Sequence, residues 1–157
     1  MPVALLIAAA LAACPVEAAR YTLRTAPDVT AHFVAVDSGR DWPAHVALAV
    51  EFAKSGRTYW FLPWGGGTDD RQNLASTTDV RLPGWRPPSS DGGPRPIGDL
   101  EYVATDIAYR VIDETPRRGR AAPAHILIPS LGDRTWHSHF DAAPKQFFDL
   151  TGCAGGR

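Results

Sequence analysis

The sequence is poor in the residues that announce chemistry. It holds two cysteines, Cys14 and Cys153, one near each end, so it carries neither a dense disulfide framework nor a Cys-x-x-Cys motif. Lysine is nearly absent: Lys54 and Lys145 stand against fourteen arginines. The formal net charge is −1, which leaves no electrostatic footprint for nucleic acid or an anionic membrane surface. No apolar run reaches the roughly 18 to 20 residues that span a bilayer as a helix. There is no Gly-x-Ser-x-Gly elbow, no His-Glu-x-x-His and no dinucleotide fingerprint, and Ser130 in "IPSLGD" lacks flanking glycines. Together these absences argue against the common hydrolase, metalloprotease and nucleotide-binding classes. They do not exclude an enzyme, since folds host chemistry without local signatures.

What is present reads as one globular β-rich domain of 157 residues, 45% hydrophobic and 21% charged. Short alternating runs are broken by Gly, Pro, Asp and Ser. "TAHFVAVDSG" places His32, Val34 and Val36 on one side and Phe33 and Ala35 on the other. Ala44–Trp64 reads as a hairpin, with Val46, Leu48, Val50 and Phe52 on one face, "KSGR" as the turn and "TYWFLPW" as the return strand. "LEYVATDIAYRVIDE" reads as one long strand with Val103, Ile107, Tyr109 and Val111 on a face, and "AHILIP" as a short buried strand. "DAAPKQFFDLTG" is the helix candidate, with Asp141 as its cap, Pro144 in its first turn and Gly152 as its stop. The expected fold is mainly β, an antiparallel sandwich or barrel-like domain with a short C-terminal helix.

Residues Val3 to Ala13 form an eleven-residue apolar stretch of signal-peptide length, although the n-region is only Met1 and Pro2. An upstream start would supply the missing charge. Leu11-Ala12-Ala13-Cys14 resembles the lipobox of bacterial lipoproteins. That resemblance implies export, diacylglycerol on the Cys14 thiol and tethering to the cell envelope. Two alternatives stand beside it: cleavage after Val16-Glu17-Ala18, and a Cys14–Cys153 disulfide. Residues 1–18 are accordingly assigned to the signal and 19–157 to a single domain. Lipidation or cleavage would leave Cys153 free or paired between molecules.

Candidate sites follow from local chemistry. His137 and His139 are two apart, so a strand would project both imidazoles from one face towards a divalent metal. Asp141 is the nearest third ligand, with Asp133, His125, His45 and His32 as others. No other cofactor is expected. "PWGGGTDDRQN" lacks the lysine of a phosphate loop; Asp69, Asp70 and Asn73 offer oxygens to calcium, but a self-capped turn explains them more simply. The loop Pro83–Asp99 holds five prolines and four glycines in seventeen residues. Trp85, Arg86, Pro87 and Pro88 within it are the partner-binding candidates, through an extended conformation anchored by the indole. Arg117, Arg118 and Arg120 mark a solvated connection or an anion site. Tyr59, Trp60, Phe61 and Trp64 read as hairpin packing. The leading expectation is a non-enzymatic envelope module that binds an envelope protein or surface component, with membrane contact only through Cys14. The rival is a periplasmic metal protein built on His137 and His139.

Overall fold

The structure, a computed structural model, describes residues 13–154. It is mainly β, with ten antiparallel strands in one curled sheet and one short helix near the C-terminus. In chain order the strands are β1 Ala19–Leu23, β2 Val29–Ala35, β3 Val46–Phe52, β4 Arg57–Gly66, β5 Arg71–Thr77, β6 Asp99–Glu101, β7 Val103–Thr105, β8 Val111–Ile112, β9 His125–Leu127 and β10 Phe147–Cys153. The helix α1, Leu131–His139, precedes the last strand. Across the sheet the order is β6-β5-β4-β3-β2-β1-β10-β9-β7-β8. β6, at one end of the sheet, and β7, next to the other end, are separated in the chain only by Tyr102. That continuity gives the sheet its barrel-like curl.

The expected hairpin is present as β3 and β4, in a register that sets Val50 opposite Tyr59 and Leu48 opposite Phe61. β3 is apolar on both faces because both faces are covered. Val46, Leu48, Val50 and Phe52 point into the main core with Tyr21, Phe33, Phe61, Leu74, Ile126 and Phe148. Ala47 and Ala49 lie on the opposite face with Trp42, Trp60, Leu62 and Ala75, under Trp85 and Val80. The small alanines leave room there for the indoles that close the outer layer.

Two expectations are corrected. The segment from Asp141 to Gly152 is not a helix: its second half is β10, which pairs with both β1 and β9. Burial of Phe148 between those neighbours, 1% exposed, outweighs the helical reading of the run. The true helix lies just upstream, where the sequence offers only Leu131 and Thr135 to bury. The long strand of "LEYVATDIAYRVIDE" is instead β6, β7, a turn and β8. Asp106 makes that turn: its Oδ1 accepts from the backbone N–H of Ala108 at 2.8 Å and of Arg110 at 3.0 Å, and Tyr109 takes a φ of 59°. Ile107 is left 84% exposed rather than aligned on a strand face.

The start of the described chain packs against the rest of the sheet. Val16 is fully buried in the main core and its N–H donates to the Arg120 carbonyl at 2.8 Å. Pro15 forms a β-bridge with Ala121. Cys14 is bonded to Cys153, with Cα atoms 5.8 Å apart. The folded unit therefore takes in Cys14–Ala18, which the sequence had assigned to the signal. The apolar stretch Val3–Ala13 lies almost wholly outside the described residues.

Candidate binding site

One cleft with aromatic lining lies where β4 begins, between the C-terminal end of α1 and the two ends of the Pro/Gly loop. Its volume is about 590 Å³, and its lining includes Arg57, Tyr59, Trp60, Arg81, Ile97 and His139. Alternation along β4 turns Tyr59 and Trp60 to opposite faces of the sheet, and both are buried at the floor of the cleft. Arg81 sits over the Trp60 ring at 4.8 Å and holds Asp79 through a salt bridge of 3.1 Å.

Polar anchoring comes from Tyr59 and Asp141. The Tyr59 hydroxyl donates to Asp141 Oδ2 at 2.6 Å, and His139 Nδ1 lies 3.2 Å from the same hydroxyl. Arg57 Nη1 stands 3.5 Å from Asp141 Oδ2. Burial by itself would raise the Asp141 pKa, but hydrogen bonds from Tyr59, Ser55 and Arg57 outweigh it and hold the carboxyl below its ordinary value. Burial, then the carboxylate partner, pushes the Tyr59 phenol well up. The pair is thus a neutral phenol donating to a carboxylate.

Two exposed aromatics stand at the C-terminal end of α1, next to His139 in the chain. Trp136 is 49% exposed and Phe140 75%, one helical turn apart, packed edge to face with centroids 5.5 Å apart. Phe140 ends the helix in the left-handed region, φ 60°, with its N–H on the Trp136 carbonyl at 2.9 Å.

The structure separates the expected metal ligands. His137 and His139 lie on a helix, where a spacing of two turns side chains about 200° apart. His137 Nδ1 turns back to the Asp133 carbonyl at 2.8 Å, whereas His139 faces Tyr59 and Asp141. Asp141 is committed to Tyr59 and Arg57. His125 is bonded to Asp149, His32 lies 3.8 Å from Glu51, and His45 is exposed in a turn. Asp69 pairs with Arg71 at 3.6 Å, and Asn73 donates to the Arg71 carbonyl. Among the described residues no group of three His, Cys, Asp or Glu side chains is placed to hold a metal ion.

The Pro83–Asp99 loop is fastened to the barrel. Trp85 is half-buried in the outer layer and its Nε1 donates to Thr77 Oγ1 at 3.3 Å. Trp42 Nε1 donates to the Pro88 carbonyl at 2.9 Å, and Pro87 and Pro88 are half-buried. Arg95 gathers the far limb, donating to the carbonyls of Ser89, Gly93 and Pro94 and to Asp99. Of the four candidates only Arg86 is freely exposed. The indole of Trp85 packs on the outer layer of this protein.

Sequence reasoning missed one cluster outright. Arg24 grips Asp149 with two hydrogen bonds of 3.0 and 2.6 Å, His125 Nδ1 lies 2.7 Å from Asp149, and Tyr109 stacks flat on His125 at 4.3 Å. Strand pairing of β1, β10 and β9 brings these groups together, and the helical reading of β10 concealed Asp149. No family model matches the chain, and no curated protein or solved structure does either. The fold and cleft define an antiparallel barrel-like domain with a surface cleft lined by Tyr59, Trp60 and His139.

Proposed function

We propose that this protein is an exported, non-enzymatic binding module that engages an envelope protein or surface component through the cleft beside α1. The observation that carries the reading is the exposed Trp136–Phe140 pair at the C-terminal end of α1, the same helix end that brings His139 into the cleft lining. Large aromatics left on a surface beside a cleft are the residues that most often dominate binding energy. Arg57, Arg81 and His139 next to them supply hydrogen-bond donors that fix a partner's orientation. The Pro83–Asp99 loop serves in this reading as one wall of the site, through Pro96 and Ile97.

Export is supported by the Cys14–Cys153 pairing, since disulfides persist in oxidising compartments. A Cys14 sulfur in that bond has no valence left for a thioether to diacylglycerol. The proposal therefore has the leader removed upstream of Cys14, with no lipid on that residue. The rival metal-dependent role has less support, because its ligands are apart.

The test is co-sedimentation of purified, acyl-free, disulfide-bonded protein with isolated bacterial envelope fractions. Replacing both Trp136 and Phe140 with alanine is expected to cut retention by about tenfold or more, as loss of a hot spot does. Unchanged retention would overturn the assignment of the binding face.

A further inference from the structure

A second cleft opens at the opposite end of β4 and has a different chemistry. Its volume is about 490 Å³ and it shares no lining residue with the aromatic cleft. Five charged side chains line it: Asp70, Asp113 and Glu114 are acidic, Arg117 and Arg120 are basic. None of the five forms an ion pair among the described residues. Elsewhere the protein pairs its carboxylates readily: Asp79, Asp106, Asp141 and Asp149 each hold an arginine. Here both signs face one cavity without neutralising each other.

Both walls are also fixed in place. The acidic wall is tied by Gln72, 9% exposed, whose amide is fully engaged. Its Nε2 donates to the carbonyls of Asp113 at 2.8 Å and Asp70 at 3.3 Å. Its Oε1 accepts from Thr115 Oγ1 at 2.9 Å and Tyr102 Oη at 3.4 Å. Gly65 lets this cluster close, since a Cβ there would stand 2.7 Å from Thr115 Oγ1. The basic wall is held by the N-terminal segment. Glu17 Oε2 accepts from the Gly119 N–H at 2.8 Å, the Arg120 carbonyl accepts from Val16, and the Arg118 N–H donates to the Ala44 carbonyl at 2.9 Å. The backbone of both walls is held while the five charged side chains, all exposed, stay free to pair with a ligand, so the ordering left at binding is confined to those side chains.

We propose that this cleft binds a small zwitterion of the α-amino acid or short-peptide class. Its ammonium group lies against Asp70, Asp113 and Glu114, and its carboxylate against Arg117 and Arg120. The volume is within the range of small-ligand pockets, and the guanidinium fork suits a carboxylate. This inference is independent of the aromatic cleft, and either can fail alone.

The experiment is a titration of ¹⁵N-labelled, disulfide-bonded protein with alanine, trialanine, N-acetyl-trialanine and trialanine amide, followed by amide chemical shifts. Trialanine or alanine is expected to move resonances of residues 113–121. Blocking either terminus of trialanine is expected to weaken binding about tenfold or more, the effect of one charge-assisted hydrogen bond. Tighter binding of alanine assigns the site to free amino acids, and tighter binding of trialanine to peptides. The double variant Asp113→Asn, Glu114→Gln should lose discrimination against the acetylated probe, and Arg117→Gln, Arg120→Gln discrimination against the amide. No shift up to about 10 mM probe, or equal affinity for free and blocked trialanine, overturns the proposal. That comparison uses the unaltered protein, so it stands even where a variant does not fold.

Discussion

Cys14 and Cys153 are separated by 139 residues, and their Cα atoms lie 5.8 Å apart. The bond fastens the entry of the chain to the end of β10, beside the bridge from Pro15 to Ala121. It thus closes the domain at the place where an N-terminal segment would otherwise fray.

Closing so long a loop restricts the unfolded chain, by about 5 kcal/mol in the chain-entropy model, with native disulfides commonly contributing about 2–5 kcal/mol. Replacing both cysteines with serine should lower the urea unfolding free energy by an amount in that range. Mass spectrometry of protein recovered from the envelope should give a mass two hydrogens below the reduced chain, without a diacyl adduct. A diacylglycerol on Cys14 would contradict the pairing directly.

The Tyr59–Asp141 pair makes a pH-dependent contribution. Asp141 is 7% exposed and its folded-state pKa is depressed, so its stabilisation is present above the ordinary carboxylate value of about 4 and is lost as pH falls through the folded value. Tyr59→Phe removes the donor and leaves a buried carboxylate short of a partner, a cost of about 1–3 kcal/mol near pH 7. The difference between wild type and variant should shrink as the pH is lowered towards 3. Chemical unfolding at several pH values checks this, and a difference that grows in acid would contradict it.

The strands that the sequence makes legible are those with one dominant neighbour relation. Val46, Leu48, Val50 and Phe52 alternate, a Gly-containing turn follows, and the return strand is rich in aromatics; all of that is local. What was hidden depends on distant partners. Phe147 and Phe148 suit a helix or a strand, and only β1 and β9 decide between them. The real helix carries no apolar stripe, because its packing rests on Leu131 and on Thr135, whose hydroxyl donates to the Asp141 carbonyl at 2.7 Å. His139 and Asp141 were singled out for metal chemistry and do sit at the aromatic cleft, but with Tyr59 as their partner. The charged cleft at the far end of β4 sets Asp70, between β4 and β5, beside Asp113, Glu114, Arg117 and Arg120, and only the fold brings those two segments together.

Asp149 is held by Arg24 first and His125 second, and both lower its pKa. Removing the guanidinium with Arg24→Ala should therefore raise the Asp149 titration midpoint, measured from its side-chain carboxyl carbon by NMR. Tyr109 should also loosen, since it loses the 2.7 Å hydrogen bond from Arg24 to its hydroxyl. Its ring signals should then lose the upfield shift expected from stacking on His125. An unchanged midpoint for Asp149 would show that His125 alone sets its ionisation.

Gly132 offers a test whose sign is informative. It lies in the first turn of α1, where alanine is ordinarily favoured over glycine by about 1 kcal/mol. In this fold a Cβ at position 132 would run into the backbone carbonyl of Ala143, on the segment that leads from the helix into β10. Backbone cannot give way as a flexible side chain does, so the helix and that segment must separate. Gly132→Ala should therefore destabilise by about 1–3 kcal/mol, the usual range for overpacking, and lower the thermal midpoint. Gly119→Ala is a useful contrast: its Cβ would meet nothing, but its φ of 80° disfavours any side chain. A thermal midpoint that rises in Gly132→Ala would mean that Ala143 does not pack against the helix, and the placement of α1 beside the cleft would fall with it.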